Sequence, residues 1–139
     1  MTNDPERALQ RTLIETLRAD AGVKALLGDP ARVWDEPPKP APYPHLLIGR
    51  SESRPHDGGG GVTEHILTLT CRSQFGGAEE AKAVTAAVRA ALHEQTPVME
   101  DGRIVNLRVT YVDVFRAADW LRTLGVVRLR AITEPNEED

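Results

Sequence analysis

A single cysteine, Cys71, stands in a chain of 139 residues. No internal disulfide can form, and the composition fits a reducing compartment. No apolar run approaches the roughly 18 residues of a membrane span. The N-terminus, MTNDPERALQ, carries acidic residues and no apolar h-region, which argues against a secretory signal. Positive charge is also in deficit: the net charge is -4, the wrong sign for a general nucleic-acid binder. Lysine is scarce, since fourteen of the seventeen basic residues are Arg. A GC-rich genome explains that bias; the alternative is interface ion pairs, which Arg makes better than Lys.

Catalytic signatures are missing as well. Ser51 and Ser53 lack a G-x-S-x-G elbow. The glycine run at 58–61 is not followed by Gly-Lys-Ser/Thr and leads into a strand, so it does not cradle phosphate. His45, His56, His65 and His93 show no metal-ligand spacing on one element; His45 and His65 could meet across paired strands, but without a third ligand. Cys71 falls on the apolar side of its strand and reads as a small core residue rather than a reactive thiol. No carboxylate pair stands out for acid/base work. The chain is expected to need no cofactor and no metal.

What is present is an ordered set of amphipathic segments, enough for one domain. Pro5 opens a first helix that Asn3 or Asp4 can cap, with Leu9, Leu13 and Leu17 on one stripe. Asp20 caps a short second helix, Val23 to Leu27, ended by Gly28. Arg32 to Trp34 and His45 to Gly49 read as short strands around the proline segment DEPPKPAPYP, an extended connector. Arg50 to Val62, with PHDGGGG, reads as a long loop, functional or disordered. The block from Thr63 to His93 carries an alternating strand over 65–73, a turn at Gly76-Gly77 and a well-capped helix over 79–93. That helix puts Ala81, Val84, Val88, Ala91 and Leu92 on one face. Two strands follow, Ile104 to Phe115 and Leu124 to Thr133, joined by Arg116 to Thr123 as an antiparallel pair. Simple alternation turns Val105, Leu107, Val109, Tyr111 and Phe115 inward in the first of these, and Val127, Leu129 and Ala131 in the second. The fold class is therefore α+β: a mainly antiparallel sheet of about four strands, with two to three helices packed on one face. The single domain spans residues 1–133, followed by an acidic disordered tail at 134–139.

Function must then reside in surfaces. Arg72, Arg108, Arg128 and Arg130 share the open sheet face, either solvated or paired with a neighbour's acids such as Glu79, Glu80 or the tail. Trp120, in the loop RAADWLRT, either folds back onto the core or anchors a partner. Trp34 is expected to tuck under the proline segment.

The ordered set LIETLRADAGVKALLG, YPHLLIG, the Gly-rich loop, HILTLTCRSQFGGAEEAKAVTAAVRAALHE, VNLRVTYVDVFRA and GVVRLRAITEP resembles the phage tail-completion, or tail-terminator, family. It looks closest to the versions in alphaproteobacterial gene transfer agents, over about residues 7 to 135. The resemblance implies a structural particle protein rather than an enzyme. Its expected assembly is a homohexamer ring that caps the tail tube and joins it to the head–tail connector, or stopper, at the neck of a particle built in the bacterial cytoplasm. DNA passes through the channel without specific binding, which suits a negative net charge, and no membrane is involved. The candidate subunit or partner interface is Arg72, Arg108, Arg128, Arg130, Trp120 and the loop residues His56, Asp57, Gly58, Gly59, Gly60 and Gly61. Two other readings stay open: a small ligand-binding or enzymatic α+β domain resting on Cys71 and the histidines, and an adaptor that binds through Pro37 to Pro42.

Overall fold

The computed structural model describes residues 4–56, 59–74, 77–119 and 121–136. The elements run α1 (Pro5–Ala19), α2 (Ala21–Leu27), β1 (Val33–Trp34), β2 (His45–Pro55), β3 (Thr63–Ser73), α3 (Glu79–Leu92), β4 (Arg103–Arg116) and β5 (Thr123–Glu134). Helix ends follow local chemistry. The Asp4 carboxylate accepts the Arg7 N–H at 3.2 Å, and Asp20 accepts the Val23 N–H at 3.0 Å, each satisfying a donor that the first turn leaves unpaired. Gly28, at φ +89°, ends α2 in a conformation that side chains rarely adopt. The start of α3 differs from the well-capped helix expected: its N-cap is Ala78, with no side-chain cap. Glu79 and Glu80 in the first turn complement the helix dipole. Glu80 also accepts a hydrogen bond from Ser73 Oγ at 2.6 Å, tying the helix to the end of β3.

The sheet order is β1-β2-β3-β5-β4. Every junction is antiparallel except the short β1–β2 pair. The two-residue β1 falls within the short strand expected at 32–34, and with it the sheet has five strands rather than about four. β2 is longer than expected: residues 50–55 are paired strand rather than loop, matched to β3 from Ser51↔Leu67 to Pro55↔Thr63. All of 49–55 is exposed, so that half of the strand carries no burial pattern to read. Glu134, assigned to the tail from sequence, is the last residue of β5, and its carboxylate pairs with Arg103.

One face of the sheet supplies Leu46, Ile48, Leu67, Leu69, Cys71, Leu107, Val109, Val127, Leu129 and Ala131 to a core shared with Leu9, Leu13 and Leu17 of α1, Val23 and Leu27 of α2, and Val84, Val88 and Leu92 of α3. α3 packs on β3, β4 and β5, while α1 and α2 pack against α3. The contact between α3 and β5 is close. A Cβ on Gly125 would lie 2.7 Å from Thr85 Cγ2 and 3.6 Å from Cys71 Cβ.

β4 departs from simple alternation at two bulges, one between Ile104 and Asn106 and one between Val109 and Tyr111. Each inserts a residue and exchanges the faces beyond it. Ile104, not Val105, is buried, and Val105 is half exposed. Past the second bulge Tyr111 lies opposite Arg128 and Phe115 opposite Leu124, so both stand on the open face rather than in the core. Val112 and Val114, opposite Val127 and Gly125, turn toward α3.

Two histidines are sealed in this framework. His45 donates from Nδ1 to the Pro42 carbonyl at 2.9 Å, beneath the rings of Trp34 and Tyr43, and His65 Nε2 bonds Thr133 Oγ1 at 2.9 Å. Burial lowers the pKa of both, outweighing the carbonyl beside His45 and Glu6 near His65, which act the other way.

Leu107→Ala, at a buried position on β4, should cost about 2–5 kcal/mol, read by urea denaturation. Gly125→Ala forces Thr85 or the helix aside and should cost about 1–3 kcal/mol. Because His45 and His65 resist protonation when folded, the unfolded chain binds more protons below its ordinary imidazole pKa. Stability is therefore fully present above about pH 6.5 and declines as pH falls below it, by at most about 1.4 kcal/mol per pH unit for each histidine. Urea midpoints that stay constant from neutral to mildly acid pH would contradict this, and His65→Gln should flatten the decline.

Candidate interaction surface

The second face of the sheet carries no helix, and strand register places its residues in rows. One row runs Arg54, Glu64, Ile132, Asn106; the next Glu52, Ile66, Arg130, Arg108. Beyond them come Thr68, Arg128, Tyr111, then Leu47, Thr70, Val126, Asp113, and last His45, Arg72, Leu124, Phe115.

All four candidate arginines fall on this face, and three of them are adjacent. Arg108 is directly opposite Arg130, while Arg128 lies one row on with its guanidinium 4.8 Å from the Tyr111 ring centroid, a cation–π seat that the second bulge makes possible. Arg72 stands apart at the far end, between His45 and Leu124. Arg130 is committed within the chain. Its Nε donates to Glu64 Oε2 at 2.5 Å, and Arg54 Nε donates to Glu64 Oε1 at 2.6 Å. The two guanidiniums hold the Glu64 carboxyl below its ordinary pKa. Among the described residues Arg72 and Arg108 have no salt-bridge partner, and both are exposed.

The face is less polar than alternation implied. Leu47, Ile66, Leu124 and Val126 are half-buried within it, and Tyr111 and Phe115 are exposed. Leu121, in the β4–β5 turn, is 70% exposed. Tyr111 and Phe115 were missed from sequence because the bulge at Thr110 has no signature there.

His56 and Gly59 to Gly61 lie in the β2–β3 hairpin turn, at the opposite end of the sheet from Arg72. Asp57, Gly58 and Trp120 lie outside the described residues. The proline connector is tied down at its end: the Pro42 carbonyl accepts from His45, and the Pro44 carbonyl accepts from Arg32 Nε at 2.7 Å.

No reactive constellation assembles. His45 is paired with Arg72 and His65 with Ser53, so the two histidines do not meet. Cys71 is fully buried, and burial, with Glu80 nearby, pushes its thiol up to about 12. Among the described residues no three His, Cys, Asp or Glu side chains gather as metal ligands. The described helices include none long and apolar enough to cross a membrane.

The fold is that of an α+β domain whose open sheet face carries Arg and aromatic side chains. Comparison with known proteins gives that class a family. The model of "Tail completion protein gp17" matches residues 11–134, and the chain belongs to that family; it is a structural virion protein, not an enzyme. Among solved structures it is similar to a chain in the "Virion of native gene transfer agent (GTA) particle". The two share 29% identity at a TM-score of 0.82, over 92% of this chain and 96% of that one. No curated protein matches.

Proposed function

We propose that this chain is the tail terminator of a gene transfer agent particle. Six copies form a ring at the head-proximal end of the tail tube, stop its growth, and present a surface to the head–tail connector while DNA passes through the channel. The observation that carries this reading is the near-complete structural match, over 96% of the other chain, to a component of a gene transfer agent virion. Three further features support it. The open face mixes Arg108, Arg128 and Arg72 with Tyr111, Phe115 and Leu124, the composition of a buried interface rather than of a solvated sheet. The net charge of -4 avoids tight retention of DNA in a channel. The two sheet edges differ from one another, as a head-to-tail ring requires. The candidate interface consists of Arg72, Arg108 and Arg128, with Arg130 held by Glu64, and His56 and Gly59 to Gly61 between β2 and β3 meet the tube or the next copy.

Mixing the pure protein with its tail-tube protein should give tubes of limited length with a ring at one end under the electron microscope. Tubes that grow on uncapped, with no ring at either end, would sink the proposal. Arg108→Glu combined with Arg128→Glu should reduce capping at least tenfold while leaving the urea midpoint nearly unchanged, because both side chains are exposed.

A further inference from the structure

We infer that neighbouring copies join by strand addition: the distal edge of β4 in one copy pairs antiparallel with the outer edge of β2 in the next, with Asp113 opposite Arg54. This rests on the ring reading above and deepens it by naming the joint.

An open sheet edge is a template for another strand, and soluble proteins ordinarily blunt it. β4 is an edge strand, and only half of it is blunted. At its proximal half the end of α3 closes over the backbone. The Glu94 N–H donates to the Leu107 carbonyl at 2.8 Å, and the Val109 N–H donates to His93 Nδ1 at 2.9 Å. Glu94 takes φ +59° to make that bond. Beyond the bulge no such cover follows: no backbone bond to the outer side of 111–115 occurs among the described residues. That uncovered half is also the apolar one. Of the six large hydrophobic residues exposed among the described residues, four — Tyr111, Val112, Phe115 and Leu121 — lie on this arm. Leaving them in water has no benefit for a lone subunit.

The second open edge belongs to β2. β1 pairs only with Leu46 and Leu47, so beyond them β2 pairs with β3 alone among the described strands. β2, β3, β5 and β4 alternate in direction, so β4 runs opposite to β2. Rotation about a ring axis preserves the component of a strand's direction along that axis, so with the strands inclined to the axis and the open face kept on one side the β4 of one copy meets the β2 of the next as an antiparallel pair.

Backbone alternation supplies the register. The Ala117 N–H bonds inward to the Arg122 carbonyl, so 112, 114 and 116 turn their backbone groups outward; the His56 N–H bonds inward to the Val62 carbonyl, so 51, 53 and 55 turn outward. Setting Val114 against Ser53 brings these groups face to face, with Pro55, which lacks an N–H, at the end of the ladder. Asp113 and Arg54 then lie opposite on the open face, and Tyr111 falls opposite His56. Sliding two residues one way would set Asp113 against Glu52, and sliding the other way would carry Val112 past the end of β2. Arg54 bonds Glu64, and its side chain is 76% exposed, so the Asp113 carboxylate of the neighbouring copy approaches it from the solvent side.

The joint is tested in the full chain by Asp113→Cys combined with Arg54→Cys, oxidised during assembly on the tail tube. The native thiol of Cys71 is buried and adds no background. The double variant should give a ladder of covalently linked copies on a denaturing gel, and neither single variant should. Dimers from Asp113→Cys alone would mean that β4 pairs with β4, overturning the inference. Val114→Pro removes an outward N–H that the lone subunit does not use, a position where an edge strand tolerates proline. It should lower the melting temperature by no more than a few degrees and reduce ring formation at least tenfold. Rings from Val114→Pro, together with no ladder from the double variant, would overturn edge pairing and leave the ring reading standing. Absence of rings from the wild-type chain on its tube would overturn both.

Discussion

The seating of α3 on β3 and β5 is the constraint on which the rest of the molecule depends. Gly125 has no side chain, Thr85 and Ala81 lie over it, and Cys71 lies beside it. The helix can therefore approach closely enough for Val84, Val88 and Leu92 to join Leu69, Val127 and Leu129 in one dry core. Close packing of this kind gives buried atoms partners on every side. α1 and α2 then complete the layer by packing on α3. With α1, α2 and α3 drawn to one face, the opposite face of the sheet carries no described helix.

That division of labour explains the chemistry of the open face. Its one deeply placed carboxylate, Glu64, is shared by Arg54 and Arg130, so the charges nearest the hairpin end are satisfied within the chain. Toward the β4–β5 turn the rows become apolar and aromatic, with Arg128 lying on Tyr111 and Arg72 beside Leu124. A face that neutralises its own charges at one end and exposes desolvatable surface at the other has the anatomy of an interface, polar at the rim and apolar inside. The thiol of Cys71 is buried on the other face with its pKa raised, and the two buried histidines are held apart by register. A structural protein of a tail completion family needs surfaces, and surfaces are what this fold leaves uncovered.

Much of this was legible in the residues. Helix positions followed from leucine spacing and from Asp4 and Asp20, whose carboxylates compete for the first-turn N–H groups. The inward sets of β3 and β5 followed from strict alternation, because neither strand contains an irregularity. The four arginines were placed on the right face for the same reason: three of them sit on those two strands, and Arg108 lies before the second bulge. Alternation failed on β4, where each inserted residue reverses the faces beyond it, and on β2, whose outer half is exposed on both sides and so shows no period.

The sequence by itself determined the helices, most of the strands, and which side chains are apolar enough to need burial. These are local properties, set by spacing, capping and side-chain type. Tertiary structure alone decided the strand order, the pairing of Glu64 with arginines ten and sixty-six residues away, the outward turn of Tyr111 and Phe115, and the covering of half the β4 edge by His93 and Glu94. Each of these depends on which backbone lies beside which. A bulge or a covered edge is a relation between two strands, and no residue on either one carries it.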